Sequence, residues 1–480
     1  MLSVPGDVLM RHRFRAPKAD REVLAEPGFD AVPGLVEANR ARLDRADVAV
    51  GGLPLRELRA LARREVMELT GGTGHGPLLL AGHQPELSHP GVWVKNFALN
   101  GLARRLGGFP LNLIVDNDTL KSTAIRFPVL RDHDPASVHF QTLNFDTLAG
   151  EVPYEDRTVH DGEQFRTFAE RAAPLWADWG YEPLLAKHWA GGTNVGEAFT
   201  AMRAGRERAW GCRNLELPVS RLARTDAFAR FARHVLGDLP RFRAAYNAAI
   251  CAYRVANRVR SANHPAPELA AGEGPFWVRT GAGRRQRATP ASDTSELRPR
   301  ALTLTLFARV CLGDFFIHGI GGGKYDEVTD DIIRNYFGIE PPAYQVLSAT
   351  LHLPLPAFPS TARDLQAAER RVRDLRWNPH ARPDAPVDLV REHARLAASE
   401  PPYGDHAARR EWFRALQRVK EGLRKAATTR VPAAEADVKR IRSEVEANAI
   451  LRRRDYPWVL YPEETLRPFL TGVSERARGS

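Results

Sequence analysis

Residues 78–118 read LLLAGHQPELSHPGVWVKNFALNGLARRLGGFPLNLIVDND. The stretch opens on a short, wholly apolar run, Leu78–Gly82, of the kind that forms a strand buried on both faces. A polar loop holding Gly82 and Pro90 follows. From Gly91 to about Leu106 the apolar residues Trp93, Phe97, Leu102 and Leu106 fall three to five apart, which predicts a helix. Gly107 and Gly108 supply the glycine stop such a helix needs. A second apolar run, Leu111–Val115, then leads into Asp116-Asn117-Asp118. Strand, helix and strand joined by short connections make a βαβ unit, and a parallel sheet is the expected consequence. The fold expected is α/β: a Rossmann-like parallel sheet core with helical insertions.

Working outward, residues 1–70 read as an irregular leader and a helix, and the GGTGHGP run at 71–77 punctuates the chain. The core is expected over 71–360, interrupted by a helical insertion at about 155–265 with a strand near Leu215–Val219. Further strands are expected at Pro275–Arg279, Phe315–His318 and Gln345–Leu351, with helices at about 299–312 and 325–337. Beyond 361 the pattern changes. Leu365, Ala368, Val372 and Leu375 step three, four, three. So do Val438, Ile441, Val445 and Asn448, while Trp412, Leu416, Val419, Leu423 and Ala426 step four, three, four, three. These are coiled-coil seams, and Pro432 between the last two predicts an antiparallel helical hairpin over 361–455, with a tail at 456–480. The seam is also a possible surface for a homodimer.

Composition narrows the function classes. The chain has 480 residues, 43% hydrophobic and 26% charged, ordinary globular usage. No apolar run reaches the ~20 residues of a membrane helix, and the N-terminus lacks the apolar segment of a secretory signal. Three cysteines, Cys212, Cys251 and Cys311, are too few for a disulfide framework, so a cytoplasmic location is expected. The net charge of +11 comes from arginine, only eight of the 69 basic residues being lysine. It is spread along the chain with no interleaved aromatics, so no specific nucleic-acid partner is expected. Against that bias Lys95, Lys121 and Lys324 stand out, because an ammonium approaches a single oxygen as a point charge.

Three segments carry residues suited to chemistry. In the first loop, Gly82, Gln84, Gly91 and Asn96 could approach or bind a ligand, and His83, His89 and Lys95 could transfer protons or hold an anion at the helix N-terminus. At the end of the next strand, Asp116 and Asp118 could hold an amine or Mg²⁺, or act as bases. In the third, DFFIHGIGGGKYDEVTDD at 314–331, Gly319, Gly321, Gly322 and Gly323 precede Lys324, Tyr325 and Asp326 after His318. That run reads as an anion cradle. It is neither a Walker A loop, since His318 and Tyr325 stand at required positions, nor a complete GxGxxG. Arg298, before Pro299, could clamp a carboxylate bidentately. Each has a plainer alternative: loop capping for the histidines, an Asx turn for the aspartates, dipole complementation for the acids after Lys324, and a surface role for Arg298.

In the order and pattern of these motifs the chain resembles the bacillithiol biosynthesis cysteine-adding enzymes, a family of cysteine ligases. Gly82-His83-Gln84, Pro90-Gly91 and Lys95 are similar to that family's glycine-glutamine loop and lysine-bearing helix. Asp116–Thr119 looks like its acidic segment, and Arg298-Pro299 with Gly319–Asp326 resembles its later motifs; the family also ends in a coiled coil. The chain departs from the family at His83, in the acidic segment and at Lys324. The resemblance implies a ligase-like enzyme joining an amino-acid-like amine to a carboxylate, with ATP or ADP, and Mg²⁺, as candidate cofactors and a small anionic or amino-acid-like substrate. Two alternatives remain. One is adenylyltransferase-type nucleotidyl transfer, whose His-x-Gly-His arrangement is absent here. The other is a non-catalytic scaffold that binds a ligand in the core and partners on the coiled coil.

Overall fold

A computed structural model describes residues 14–148, 150–281, 283–382 and 384–479; the first thirteen residues of the expected leader lie outside the described residues. The chain divides into two units. One comprises Met1–Phe127, Thr142–Pro354 and Arg454–Ser480, the other Pro128–Gln141 and Leu355–Arg453.

The first unit is mixed α/β around a six-stranded sheet. Its strands are β1 (Val23–Glu26), β2 (Leu78–His83), β3 (Phe109–Ile114), β4 (Leu215–Pro218), β5 (Phe315–His318) and β6 (Tyr344–Ala349). They lie in the order β1-β6-β5-β2-β3-β4, all parallel except β1, which runs antiparallel to β6. The chain therefore moves from β2 outward through β3 to β4, then crosses to β5 on the other flank of β2 and continues to β6. Leu78, Leu79, Leu80 and Ala81 are all fully buried, as two covered faces require. Leu78 and Leu80 join Leu111, Leu113 and Leu217 in the core that also holds Phe228, Phe231 and Phe307.

Helix α1 (Pro90–Leu106) makes the crossover from β2 to β3 and stops at Gly107, whose φ of 59° is the left-handed cap anticipated there. Along it lies the helix Glu463–Arg478. A Cβ on Gly101 would fall 2.2 Å from the Ser474 carbonyl oxygen, so only glycine lets these two helices approach so closely.

Two local expectations are corrected. The glycine run after β5 is not a loop: helix α2 (Ile320–Ile332) begins within it, and Gly323 N–H already donates to Gly319 O at 2.8 Å. Glycine is a poor helix former, but a Cβ at 323 would fall 2.4 Å from Val346 Cγ2, and packing against β6 decides the matter. Arg298 does not open a helix either. It lies in a short strand, Leu297–Pro299, of a three-stranded antiparallel sheet with Phe276–Arg279 and Arg285–Arg287; the helix starts at Ala301. The leader also yields β1, whose four residues show no strand alternation and are held by pairing with β6.

The second unit is helical: α3 (Ala362–Trp377), α4 (Val387–Ala398), α5 (His406–Thr428) and α6 (Val431–Leu451). On α3 and α5 the stepped residues Ala368, Leu375, Leu416 and Leu423 are buried, but on α6 the stepped Val438, Ile441, Val445 and Asn448 are only half-buried and Ala434, Glu444, Ala447 and Leu451 are the buried ones. Ala426 is an exception, exposed beside buried Ala427. The main partner of α6 is α3 and that of α5 is α4, so α5 and α6 do not form the expected hairpin with each other as its chief contact. On α3 and α5 spacing picks out the inward face; it does not pick the helix opposite. No helix among the described residues is long and apolar enough to cross a membrane.

Candidate functional site

Where the winding of a parallel sheet reverses, the connections leave the carboxyl ends of two adjacent strands on opposite sides, opening a crevice. Here those strands are β2 and β5, ending in His83 and His318. Ile317 pairs with Ala81, so His318 lies level with Gly82. From the second turn of α1, Lys95 reaches back and its Nζ donates to Gly82 O at 2.9 Å. Lys95 is 3% exposed, and among the described residues no carboxylate lies within ion-pair distance of it. Burial pulls its ammonium down to about 8.

His318 completes the β5 side. Its Nε2 lies 2.8 Å from Asp326 Oδ2, which also meets Arg309 Nη1 at 2.5 Å; Arg309 Nη2 is 2.7 Å from Asp330. Burial depresses the imidazole's pKa, outweighing Asp326, so His318 is the neutral form at pH 7. The Arg309 charge, helped by the hydrogen bond to His318, holds Asp326 below the ordinary carboxylate range despite its burial. Asp326 is thus an internal counter-ion in the second turn of α2.

The loop after β2 is largely engaged in holding itself. His89 caps α1, its Nδ1 accepting from Gly91 N at 3.1 Å, and burial pulls its pKa down to about 4. A Cβ on Gly91 would fall 2.2 Å from Ala349 O, which gives that glycine a packing role. A Cβ on Gly82 would meet Leu113 at 3.2 Å, a tight but longer contact. Asn96 donates to Glu207 at 2.7 Å within a buried network. In it Trp93 and Arg203 also donate to Glu207, and Arg203 donates to Glu216. His83 remains a third exposed, beside a small cavity that Gln84, Asn112 and Arg203 share. Burial and Lys95 lower its pKa to about 3.

The two aspartates after β3 separate. Asp116 accepts from both the backbone N–H (2.8 Å) and the hydroxyl of Ser220, tying β3 to the segment after β4; burial nevertheless raises its carboxyl to about 6. Asp118 Oδ2 accepts from Gln84 at 2.8 Å and faces a cleft with Glu86 and Tyr154. Arg298 does clamp a carboxylate bidentately, but the partner is Glu155 of its own chain, at 2.9–3.0 Å. Lys324 and Tyr325 are exposed, and with Gly321 they border a separate cleft lined by Arg15, Tyr253 and His264. That cleft shares no residue with the His83 cavity or the Asp118 cleft. Gly319 and Gly321 leave open space, while Gly322 lies against His318 Nδ1.

Sequence reasoning missed Glu86, Tyr154, Glu207 and Arg309. Only Glu86, inside the first loop, carried a local signal. The others are ordinary residues of helices and turns until the fold delivers them. No family model matches the chain, and no curated protein matches it in sequence.

Proposed function

We propose that the first unit is a Rossmann-like core whose crevice between β2 and β5 binds a small anionic group, carboxylate or phosphate, in a carbon–nitrogen bond-forming reaction. The observation that carries this reading is Lys95, an ammonium buried at the reversal point without a counter-ion. An isolated buried charge is strongly unfavourable, and a ligand anion would complete it. The strand order β6-β5-β2-β3-β4 matches the doubly wound arrangement that binds ligands at this position. Reading residues 361–455 as a coiled-coil region rests on the stepped apolar residues of α3 and α5 and belongs to the same proposal.

The chemistry suited to these groups is acyl transfer to an amine. ATP would transfer its γ-phosphoryl group to a carboxylate oxygen and leave as ADP, which activates the carboxyl carbon. The amine nitrogen then attacks the carboxyl carbon, phosphate departs with the bonding pair, and the nitrogen loses a proton. Lys95 stabilises the negative charge on oxygen, and neutral His318, level with Gly82, accepts the proton. Asp116 does not fit a Mg²⁺ ligand, since both oxygens accept from Ser220 and its carboxyl is raised toward protonation. Among the described residues no group of three or more metal-ligating side chains occurs, and no step is drawn through a metal.

Thermal shift with inorganic phosphate, ADP and ATP tests the reading. A ligand at 100 times its Kd stabilises by about 2.7 kcal/mol, and Lys95→Met should abolish the response. Equal shifts in both proteins would refute it. Pyrophosphate release with an adenylated product and no ligation would assign nucleotidyl transfer instead.

A further inference from the structure

We propose that the cleft bordered by Glu86, Asp118 and Tyr154 is a subsite for a small primary ammonium on an apolar body. The inference rests on the carbon–nitrogen bond-forming reading, for which it supplies the place of the amine.

The cleft, about 200 Å³, opens beside the carboxyl end of β3. At about 30 Å³ per water it holds some six or seven such volumes, enough for a small organic molecule. Tyr154 is the deciding residue. Its ring is buried at 3% exposure and lines the cleft; its hydroxyl makes no hydrogen bond among the described residues, and its oxygen is left open to the space of the cleft rather than sealed in the core. Glu86 and Asp118 line the same cleft as Tyr154, and after burial their charges push its phenol's pKa further up.

An alkylammonium has three N–H donors and no acceptor. Two carboxylates and a phenol oxygen form the complementary set of three acceptors. Asp118 is already oriented by Gln84 on one oxygen and by the Thr119 N–H on the other, which fixes its plane while leaving further lone pairs free. Partial burial and the neighbouring Asp118 raise the carboxyl of half-exposed Glu86 against the opposing charge of Lys121, so the pair repels, and a cation between the two carboxylates would relieve that repulsion. Phe145 and Phe199 provide the apolar wall. Such a wall suits an organic body better than Mg²⁺, which retains several waters. Lys121 stands exposed at the border, where it can meet a carboxylate on the same ligand.

Titration calorimetry on the full chain with isobutylamine, L-valine, N-acetyl-L-valine and MgCl₂ decides the matter. Isobutylamine and valine should bind and N-acetylvaline should not, because acetylation removes the cation. Glu86→Gln, Asp118→Asn and Tyr154→Phe should each weaken amine binding about tenfold, the loss of one hydrogen bond to a charged group. Tyr154→Phe keeps the buried ring, so it loses the hydroxyl without emptying the core, and circular dichroism confirms each variant's fold. Absence of amine binding, equal binding of N-acetylvaline, or Mg²⁺ binding that amines fail to displace would overturn the subsite. Lys95→Met should leave amine binding intact. A phosphate response through Lys95 with no amine bound would overturn the subsite and leave the anion-binding reading standing.

Discussion

The segments 82–118 and 318–326 look alike as sequence, each mixing glycine, histidine, lysine and aspartate after a buried strand, but the fold uses them in opposite ways. In the first, the lysine turns inward. Lys95 is buried on α1 with a backbone carbonyl as its hydrogen-bond partner. In the second the lysine points outward, Lys324 being exposed on α2, while the acid and histidine are sealed inside with Arg309. The difference follows from where each helix starts. Five loop residues, Gln84–Ser88, separate β2 from His89, the cap of α1, and Lys95 falls on the sheet side of the second turn. The glycine run lets α2 start at once after Gly319, which places Asp326, not Lys324, over the sheet.

If the second segment is a structural lock, breaking it should be the most damaging change. Asp326→Ala leaves Arg309 without its closest carboxylate in a buried setting, and a loss of about 3–5 kcal/mol is expected in urea unfolding. An unchanged midpoint would dissolve the contrast.

The first segment should behave in reverse. Lys95 titrates at about 8 in the fold and at 10.5 ordinarily. A depressed lysine is a penalty that is complete below pH 8 and fades as pH rises from 8 toward 10.5. Lys95→Met should therefore stabilise the protein at pH 7 by up to about 3 kcal/mol, less the lost hydrogen bond to Gly82. The gain should shrink between pH 8 and 10.5 in a series of melting curves. A destabilised Lys95→Met at pH 7 would mean that the ammonium already has a partner.

The glycines sharpen the comparison within one helix. Gly323→Ala pushes a methyl against β-branched Val346 and should cost about 1–3 kcal/mol. Gly321→Ala meets nothing within 4 Å and should gain about 0.5–1 kcal/mol from helix propensity. Equal effects would mean that the run is not set by packing against β6. Smallest of all, Lys324→Ala should move stability by less than about 0.5 kcal/mol and leave the phosphate response of Lys95 untouched.

Much of the architecture was legible. The apolar runs at 78–82 and 111–115 and the glycine stop at 107 announce the first βαβ unit, because burial on two faces and left-handed caps leave strong local traces. β1 left none, since its four residues become a strand only when β6 offers an edge. Of the expected site residues, His83 and His318 end adjacent strands and Lys95 reaches Gly82 from α1, whereas Lys324 and Tyr325 border a separate cleft. The roles were not legible. Arg298 reads as a free clamp until Glu155 is seen across it, and Asp116 and Asp118 read as a pair until Ser220 and Gln84 draw them to different partners.

Periodicity, caps and turn residues are properties of neighbours along the chain, and the sequence by itself therefore determined the α/β class, the elements of the first crossover and the inward faces of α3 and α5, though not that of α6. Charge pairing, close helix approach and the choice of partner helix depend on residues tens or hundreds of positions apart. Only the tertiary structure could decide that Arg309 neutralises Asp326, that α3 receives α6, and that Lys95 is buried without a carboxylate beside it. The physical reason is range: hydrogen bonds along a helix are local, whereas desolvation and ion pairing are set by whatever the fold brings within a few ångströms.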